Sequence, residues 1–205
     1  IATLGLSLQV GDLPGSGTLA ARPRSIRKGR TTLVFEVDLD HVETGESVGL
    51  ATITFSLLPA RNDTQARAMW AEEPEPETVF GTEDSGLDAP LLDVIGLRFD
   101  PADPAVARAD KTDYVGNTLG AMTGGVVAML IEAAAEHLAA SELDGAVRVR
   151  SLEIHFLRLA RNGPIRATSR TIGRLGTARI VRVELHDEGS DDAQTTIASV
   201  IVDLS

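Results

Sequence analysis

The sequence contains no cysteine, few aromatic residues and an excess of negative charge. The absence of cysteine excludes disulfides, thiolate nucleophiles and cysteine-ligated zinc or iron–sulfur sites. Because aromatic residues make up only 3% of the chain, the core has to be built from valine, leucine, isoleucine and alanine. The formal net charge of −11 argues against a nucleic-acid partner, which requires a basic surface to neutralise phosphates.

Long apolar runs and metal-ligand spacings are also lacking. The longest nearly apolar run, residues 124–131, is far shorter than the roughly 20 residues that span a bilayer. No signal-peptide pattern opens the chain, so we expect a cytoplasmic protein without a membrane partner. No two of the four histidines have ligand spacing, so we expect neither a metal nor a cofactor. Since Ile1 already lies within a strand pattern, we expect further sequence upstream of it.

The hydropathy pattern divides the chain into three segments. Residues 1–60 alternate apolar and polar side chains with period 2, which predicts an antiparallel meander of four strands. Residues 61–90 are acidic, hold three of the nine prolines and lack a sustained period, which predicts a linker, with an irregular lid as the alternative. Residues 91–205 are predicted to contain a helix over 124–140 followed by four more strands, because apolar residues recur there with helical spacing.

The strands after the predicted helix resemble the strands of the first segment. In both places an alternating strand, a glycine-marked turn, a strand ending in basic residues and a long alternating strand follow one another, about 147 residues apart. This self-similarity predicts a duplicated unit whose first copy lacks the counterpart of residues 91–147.

The stretch from Asn117 to Glu132 carries the features that indicate chemistry. Gly124 and Gly125 open the predicted helix, whose first amide N–H groups lack partners within the helix and can stabilise a carbonyl oxygen that gains negative charge. Glu132 interrupts an otherwise apolar run, and a carboxyl in a partly dry cleft has a raised pKa and can act as a base or nucleophile. Alternatively, Glu132 and Glu136 mark only the solvated face of the helix, because they are four residues apart.

The motif N-x-x-G-x-x-x-G-G, followed seven residues later by an acid on an apolar helix, resembles the hotdog-fold acyl-CoA thioesterases, in particular the PaaI-like group. The resemblance implies an α+β fold in which an antiparallel sheet wraps around a long helix. It implies that residues 91–205 form one complete hotdog unit and residues 1–60 the strand half of another, a tandem protein truncated in its first copy. Such a chain forms a pseudo-dimer, and we expect it to pair again as a homodimer or higher oligomer.

The resemblance also assigns roles to individual residues. Asn117 lies in the loop over the site, the Gly125 amide polarises the thioester carbonyl, and Glu132 is the general base or nucleophile. Thr123 stands where the family usually has histidine; its hydroxyl donates a hydrogen bond but does not accept a proton near neutral pH as imidazole does.

The expected substrate is an acyl-CoA or another thioester. The residues expected to contact it are Gly120, Gly124, Val126 and Met129, with Phe156 beside the acyl slot. Two arginine-rich segments, 22–30 and 148–182, are candidates for binding the phosphates of coenzyme A, although solvated strand faces carry such arginines as often. His137 is expected to be structural and His155 to lie on the surface.

Two other functions fit the same fold. One is a non-catalytic acyl-CoA or acyl-chain binding protein, since fold does not fix function. Thr123, in place of the family's usual histidine, favours this function. A dehydratase or hydratase requires a histidine near the helix paired with an acid, and no histidine lies between residues 42 and 136.

Overall fold

A computed structural model describes residues 1–57 and 87–205. Within these residues the chain forms two α-helices and ten strands of a single antiparallel sheet. The helices are α1 (Leu91–Val94) and α2 (Gly124–Glu142), and the strands are β1 (Ala2–Val10), β2 (Leu19–Lys28), β3 (Thr32–His41), β4 (Ser47–Ser56), β5 (Arg98–Phe99), β6 (Val106–Ala109), β7 (Val147–Phe156), β8 (Ile165–Leu175), β9 (Ala178–Asp187) and β10 (Ala193–Leu204). Most of the predicted linker, residues 61–90, lies outside the described residues.

The local structure follows the sequence pattern closely. All four strands predicted in residues 1–60 are present, and the predicted helix is confirmed as α2, which extends two residues further than expected. In α2 a stripe of side chains is buried, among them Val127, Leu130, Ile131 and Leu138. Helix α2 therefore has the apolar stripe that a helix needs to pack against a sheet.

The core lies between α2 and the half of the sheet formed by the later strands. Helix α2 contacts β6, β7, β8, β9 and β10. Val181, Val183 and Leu185 of β9 are fully buried beneath it. Four alanines of α2 are also buried, and their small side chains allow the helix to approach the sheet closely: Ala133, Ala134, Ala135 and Ala139. The predicted α+β arrangement, a long helix against an antiparallel sheet, is confirmed.

The sheet has a mirrored strand order about one central junction. The order is β2-β3-β4-β1-β7-β10-β9-β8-β6-β5, so four corresponding strands run outward on each side of the β1–β7 junction, and β6 and β5 extend the second side. Pairs such as Leu19–His41 in β2–β3 and Ile165–Asp187 in β8–β9 correspond to each other after a shift of about 146 residues. This shift agrees with the one read from the sequence, while the division at residues 60 and 90 stays a prediction.

The two halves of the sheet differ in how their apolar face is covered. The face of β7–β10 lies under α2, whereas Leu33, Phe35, Val37 and Leu39 of β3 are only half-buried. Among residues 1–57 and 87–205, neither helix packs extensively against β3. Neither of the described helices is long and apolar enough to cross a membrane.

A buried polar residue anchors the loop before the second strand of each half. Asp187 has an exposed fraction of 0%, and its carboxylate accepts backbone N–H groups from Arg161, Asn162 and Gly163 and the hydroxyl of Ser190. His41, the counterpart of Asp187, is 6% exposed and contacts the Ser16 carbonyl oxygen through Nε2 at 3.1 Å. Burial alone would raise the pKa of Asp187, but these hydrogen bonds outweigh it and hold the pKa below its ordinary value.

We predict that Asp187→Asn lowers the free energy of unfolding by about 3 kcal/mol at pH 7, because an amide cannot accept all of these hydrogen bonds. A carboxyl with a depressed folded-state pKa stabilises the protein above its unfolded pKa and loses that effect as pH falls through the folded-state pKa. The wild type should therefore lose stability below about pH 4 more steeply than the variant. Urea unfolding between pH 3 and pH 7 measures both effects.

Asp191→Asn is the matched control, because it removes an exposed carboxylate from the turn that directly follows Asp187. It should change stability by less than about 0.5 kcal/mol. Equal stabilities for Asp187→Asn and Asp191→Asn would refute the anchoring role of Asp187.

Candidate active site

The loop that leads into α2 is organised by Asn117. The Asn117 Oδ1 atom accepts the backbone N–H groups of Leu119 at 2.9 Å and Ala121 at 3.2 Å. Gly120 has φ of +73°, a left-handed conformation that glycine adopts without strain. The loop is fastened at its end, because Met122 N donates to the Ala160 carbonyl oxygen at 2.8 Å. Asn117 and Gly120 thus shape this loop, and the Asn117 side-chain oxygen is already engaged by loop amides.

Thr123 caps the helix. Its side-chain oxygen accepts the backbone N–H of Val126 at 3.5 Å, and its backbone is extended, as is usual for an N-cap residue. Within the described part of the chain, no acceptor lies within hydrogen-bonding distance of the N–H groups of Gly124 and Gly125. These two donors, at the positive end of the helix dipole, are free to bind an oxygen that carries negative charge.

Glu132 lies on the same side of α2 as Gly125. Seven residues separate them, which is almost two full turns and about 10 Å along the helix axis. Glu132 is exposed to solvent, yet enough protein surrounds its carboxyl group that burial raises its pKa. The Glu132 carboxyl group is therefore accessible to water while other parts of the protein lie close to it.

Glu136 fixes the direction in which this side of α2 faces. Strand β1 pairs with β7 only as far as Ser151, and beyond that point Glu136 Oε1 accepts the backbone N–H of Val149 at 3.0 Å. Burial, and then the nearby charge of Glu132, raise the pKa of Glu136, while the Val149 hydrogen bond opposes them. Glu136 consequently lies against β7 just beyond the end of its pairing with β1, and Glu132 lies one turn earlier on the same side of α2.

A cavity of about 200 Å³ lies at the N-terminal end of α2. We call it the N-terminal cavity. Its walls come from both halves of the sheet and from the loop, and they are residues 1–4, Asn117, Leu119, Met122, Gly124, Val127, residues 156–160 and Thr196. Most of these side chains are apolar, and Arg158 is the charged residue among them.

The structure brings some of the predicted site residues to this cavity and leaves others beside it. Asn117, Gly124 and Phe156 line the cavity, as expected for residues in contact with a substrate. Among the described residues that line it, the following predicted site residues are not found: Gly120, Thr123, Gly125, Val126, Met129 and Glu132. Val126 and Met129 turn to other sides of α2, because Val127 occupies the side that faces the cavity.

Several cavity residues were not predicted from the sequence. Residues 1–4 reach the cavity because β1 pairs with β7, and residues 157–160 reach it because they continue from β7. The predicted duplication, which implies pairing of equivalent strands, was the one available signal. It gave no register, so the sequence did not reveal which end of β1 meets α2.

Within the described residues, half of the basic residues in the two arginine-rich segments pair with neighbouring carboxylates. Arg166 pairs with Glu188 and Asp192, and Arg179 pairs with Glu142. Pairs with carboxylates also hold Arg22, Arg24, Arg148, Arg150 and Arg182. These pairs favour the alternative interpretation for the arginines that form them, and phosphate binding by the two segments stays a prediction.

The histidines have no role in this site. The ring of His137 stacks on Phe99 with 4.0 Å between centroids, which agrees with the structural role expected for it. His155 is exposed, as predicted, on the face of the sheet away from α2.

The structural comparisons identify the fold. The TesB protein of Mycobacterium avium subspecies paratuberculosis is similar with a TM-score of 0.64 and 10% identity, over 100% of this chain and 79% of that one. A conserved protein with a hot dog fold from Alicyclobacillus acidocaldarius gives a TM-score of 0.58 and 13% identity, with the same coverage. A mutant of a thioesterase enzyme from Staphylococcus aureus gives 0.51 and 19%, over 55% of this chain and 96% of that one.

The sequence comparison finds a family model that is similar to the part of the chain that contains the site. No curated protein sequence matches the chain significantly. Residues 116–204, which include the loop, α2 and strands β7–β10, match the family model described as acyl-CoA thioesterase N-terminal domain. The predicted hotdog fold is confirmed, and the match of residues 116–204 agrees with the predicted resemblance to acyl-CoA thioesterases.

Proposed function

We propose that the protein hydrolyses an acyl-CoA thioester to a carboxylate and free coenzyme A. The observation that carries this proposal is the pair of free N–H groups at Gly124 and Gly125 next to an apolar cavity. Such donors stabilise the oxyanion that forms when water adds to a thioester carbonyl. The family match over residues 116–204 supports the same substrate class.

The spacing of Gly125 and Glu132 favours a general base over a direct nucleophile. Side chains on an α-helix lean toward its N-terminus, so the Glu132 carboxylate extends part of the way along the separation of about 10 Å. The remaining gap is too long for a carboxylate that must bond to the carbonyl carbon. It is long enough for a carbonyl group bound at Gly125 and one water molecule between that carbonyl and Glu132.

The proposed reaction then has two steps. Glu132 removes a proton from the water as its oxygen bonds to the carbonyl carbon, and the negative charge on the carbonyl oxygen is stabilised by the N–H groups of Gly124 and Gly125. When this intermediate collapses, the carbon–sulfur bond breaks and the sulfur leaves with the electron pair. Protonated Glu132 returns the proton to the thiolate of coenzyme A.

Other expectations belong to the same proposal. Gly124, Gly120 and Asn117 shape the entrance for the thioester, and Arg158 at the cavity is available to a phosphate of coenzyme A. We retain the PaaI-like subgroup, the division at residues 60 and 90, cytoplasmic localisation, and a pseudo-dimer that pairs again with a second chain as parts of this proposal.

The first prediction for this function concerns Glu132. Glu132→Gln should lower kcat by a factor of about 10²–10⁴, because the amide cannot accept the proton from water. Glu136→Gln is the matched control, since it lies one turn further along α2 and glutamine Oε1 can still accept the Val149 N–H. Steady-state hydrolysis of an acyl-CoA panel measures both variants, and unchanged turnover in Glu132→Gln would remove its proposed role.

The pH profile gives an independent prediction. Because the base must be deprotonated and burial raises the pKa of Glu132, kcat/KM should rise with pH through a pKa above the ordinary range of glutamate. Residual activity of Glu132→Gln should lack this limb. A wild-type profile that is flat from pH 4 to pH 7 would contradict a base with a raised pKa.

Thr123 provides a prediction on stability. Removing the cap with Thr123→Ala should lower the free energy of unfolding by about 1 kcal/mol, because Val126 N–H loses its acceptor. Thr123→Ser keeps the hydroxyl and should retain most of that stability. Urea unfolding compares the two variants. If both unfold like the wild type, the oxygen contributes nothing as a cap and is available to the substrate.

A second candidate function is binding of acyl-CoA without hydrolysis. It is favoured by two observations: Glu132 does not line the N-terminal cavity, and the Thr123 oxygen is engaged by the helix. Measurable binding of acyl-CoA together with no turnover by the wild type would support this function and exclude hydrolysis.

A further inference from the structure

Phe156 and Gly124 lie close to each other in the wall of the N-terminal cavity. A Cβ atom at Gly124 would lie 3.7 Å from Phe156 Cζ and 3.7 Å from Thr3 Oγ1. These are ordinary contact distances, so a methyl group would fit there but would fill space that is now open. The Phe156 ring is therefore the wall that faces the free N–H groups at the helix N-terminus.

The size of the cavity sets the length of chain that it can enclose. An apolar cavity of about 150 Å³ binds benzene, a molecule of six carbon atoms. The N-terminal cavity, at about 200 Å³, accordingly has room for about eight carbon atoms. Its apolar walls suit an alkyl chain. The Arg158 residue, which also lines the cavity, is exposed to solvent.

Building on the proposed function, we propose that the N-terminal cavity binds the acyl group and that Phe156 limits it to about eight carbon atoms. The protein would thus act on short- and medium-chain acyl thioesters. Each methylene group that enters the cavity leaves water and should tighten binding about fourfold. Carbon atoms beyond the limit have to lie outside the cavity, where they gain little further affinity.

The test is a binding series that does not depend on turnover. The probes are ketone analogues of acyl-CoA, in which a methylene group replaces the thioester sulfur, with acyl groups of increasing length. Isothermal titration with the intact protein should show Kd falling about fourfold per methylene up to about eight carbons and then levelling off. A Kd that keeps falling at this rate well beyond that length, or one that never depends on length, overturns the inference.

Three variants change the limit in stated directions. Phe156→Ala enlarges the cavity and should move the plateau to longer chains, whereas Phe156→Trp and Gly124→Ala reduce the space and should move it to shorter chains. Gly124→Ala also keeps the inference testable if a Phe156 variant fails to fold, because its methyl group fits at contact distance. Phe55→Ala is the matched control, since this phenyl ring lies on β4 and contacts Phe35.

A plateau that moves in the Phe156 and Gly124 variants but not in Phe55→Ala supports the inference, whether or not the protein hydrolyses the thioester. A plateau that stays in place in all of the variants overturns it, even if Glu132→Gln has abolished hydrolysis. An absence of binding for every analogue also overturns it. The binding series therefore tests the acyl-length limit, and turnover of intact acyl-CoA tests the proposed function.

Discussion

The site depends on the pairing of β1 with β7. Residues Gly5–Gln9 of β1 lie opposite His155–Ser151 of β7, and this ladder joins the two halves of the sheet. Because the strands are antiparallel, the start of β1 and the end of β7 lie together at one edge of the junction, next to the N-terminus of α2. The N-terminal cavity is formed there by residues that are about 150 positions apart. Neither half of the sheet contributes all of its walls.

Small residues allow the helix to occupy this position. Four alanines on α2 are buried against strands rich in valine and isoleucine, so the helix approaches the sheet without large aromatic side chains between them. The glycine pair at its start leaves the first N–H groups accessible, and the Thr123 cap satisfies a neighbouring donor. The same sequence features therefore provide packing along α2 and free donors at its end. Glu132 and Glu136 lie one turn apart on one side of α2, and Glu142 at its end pairs with Arg179 of β9.

The sequence was sufficient to predict features that depend on local periodicity. Alternation in residues 1–60 predicted β1–β4, and the apolar stripe over 124–140 predicted α2, because each pattern reports which side of an element is buried. It was insufficient where the outcome depended on register and side-chain partners. Val126 and Met129 were expected beside the substrate, but Val127 and not these two residues lines the N-terminal cavity, since one step along a helix turns the side chain by about 100°. The partners of Arg166 and Arg179 come from the turn between β9 and β10 and from α2, and charge counting along the chain does not identify them.

The central claim is that a thioester carbonyl binds the N–H groups of Gly124 and Gly125 while its acyl chain occupies the N-terminal cavity. A crystal structure with an octanoyl ketone analogue of acyl-CoA bound tests this claim most directly. The carbonyl oxygen should lie about 3 Å from the nitrogen of Gly124 or Gly125, with the alkyl chain against Phe156 and room for one water molecule between the carbonyl carbon and Glu132. An analogue bound elsewhere, with its carbonyl remote from both amides and the cavity empty, would contradict the account.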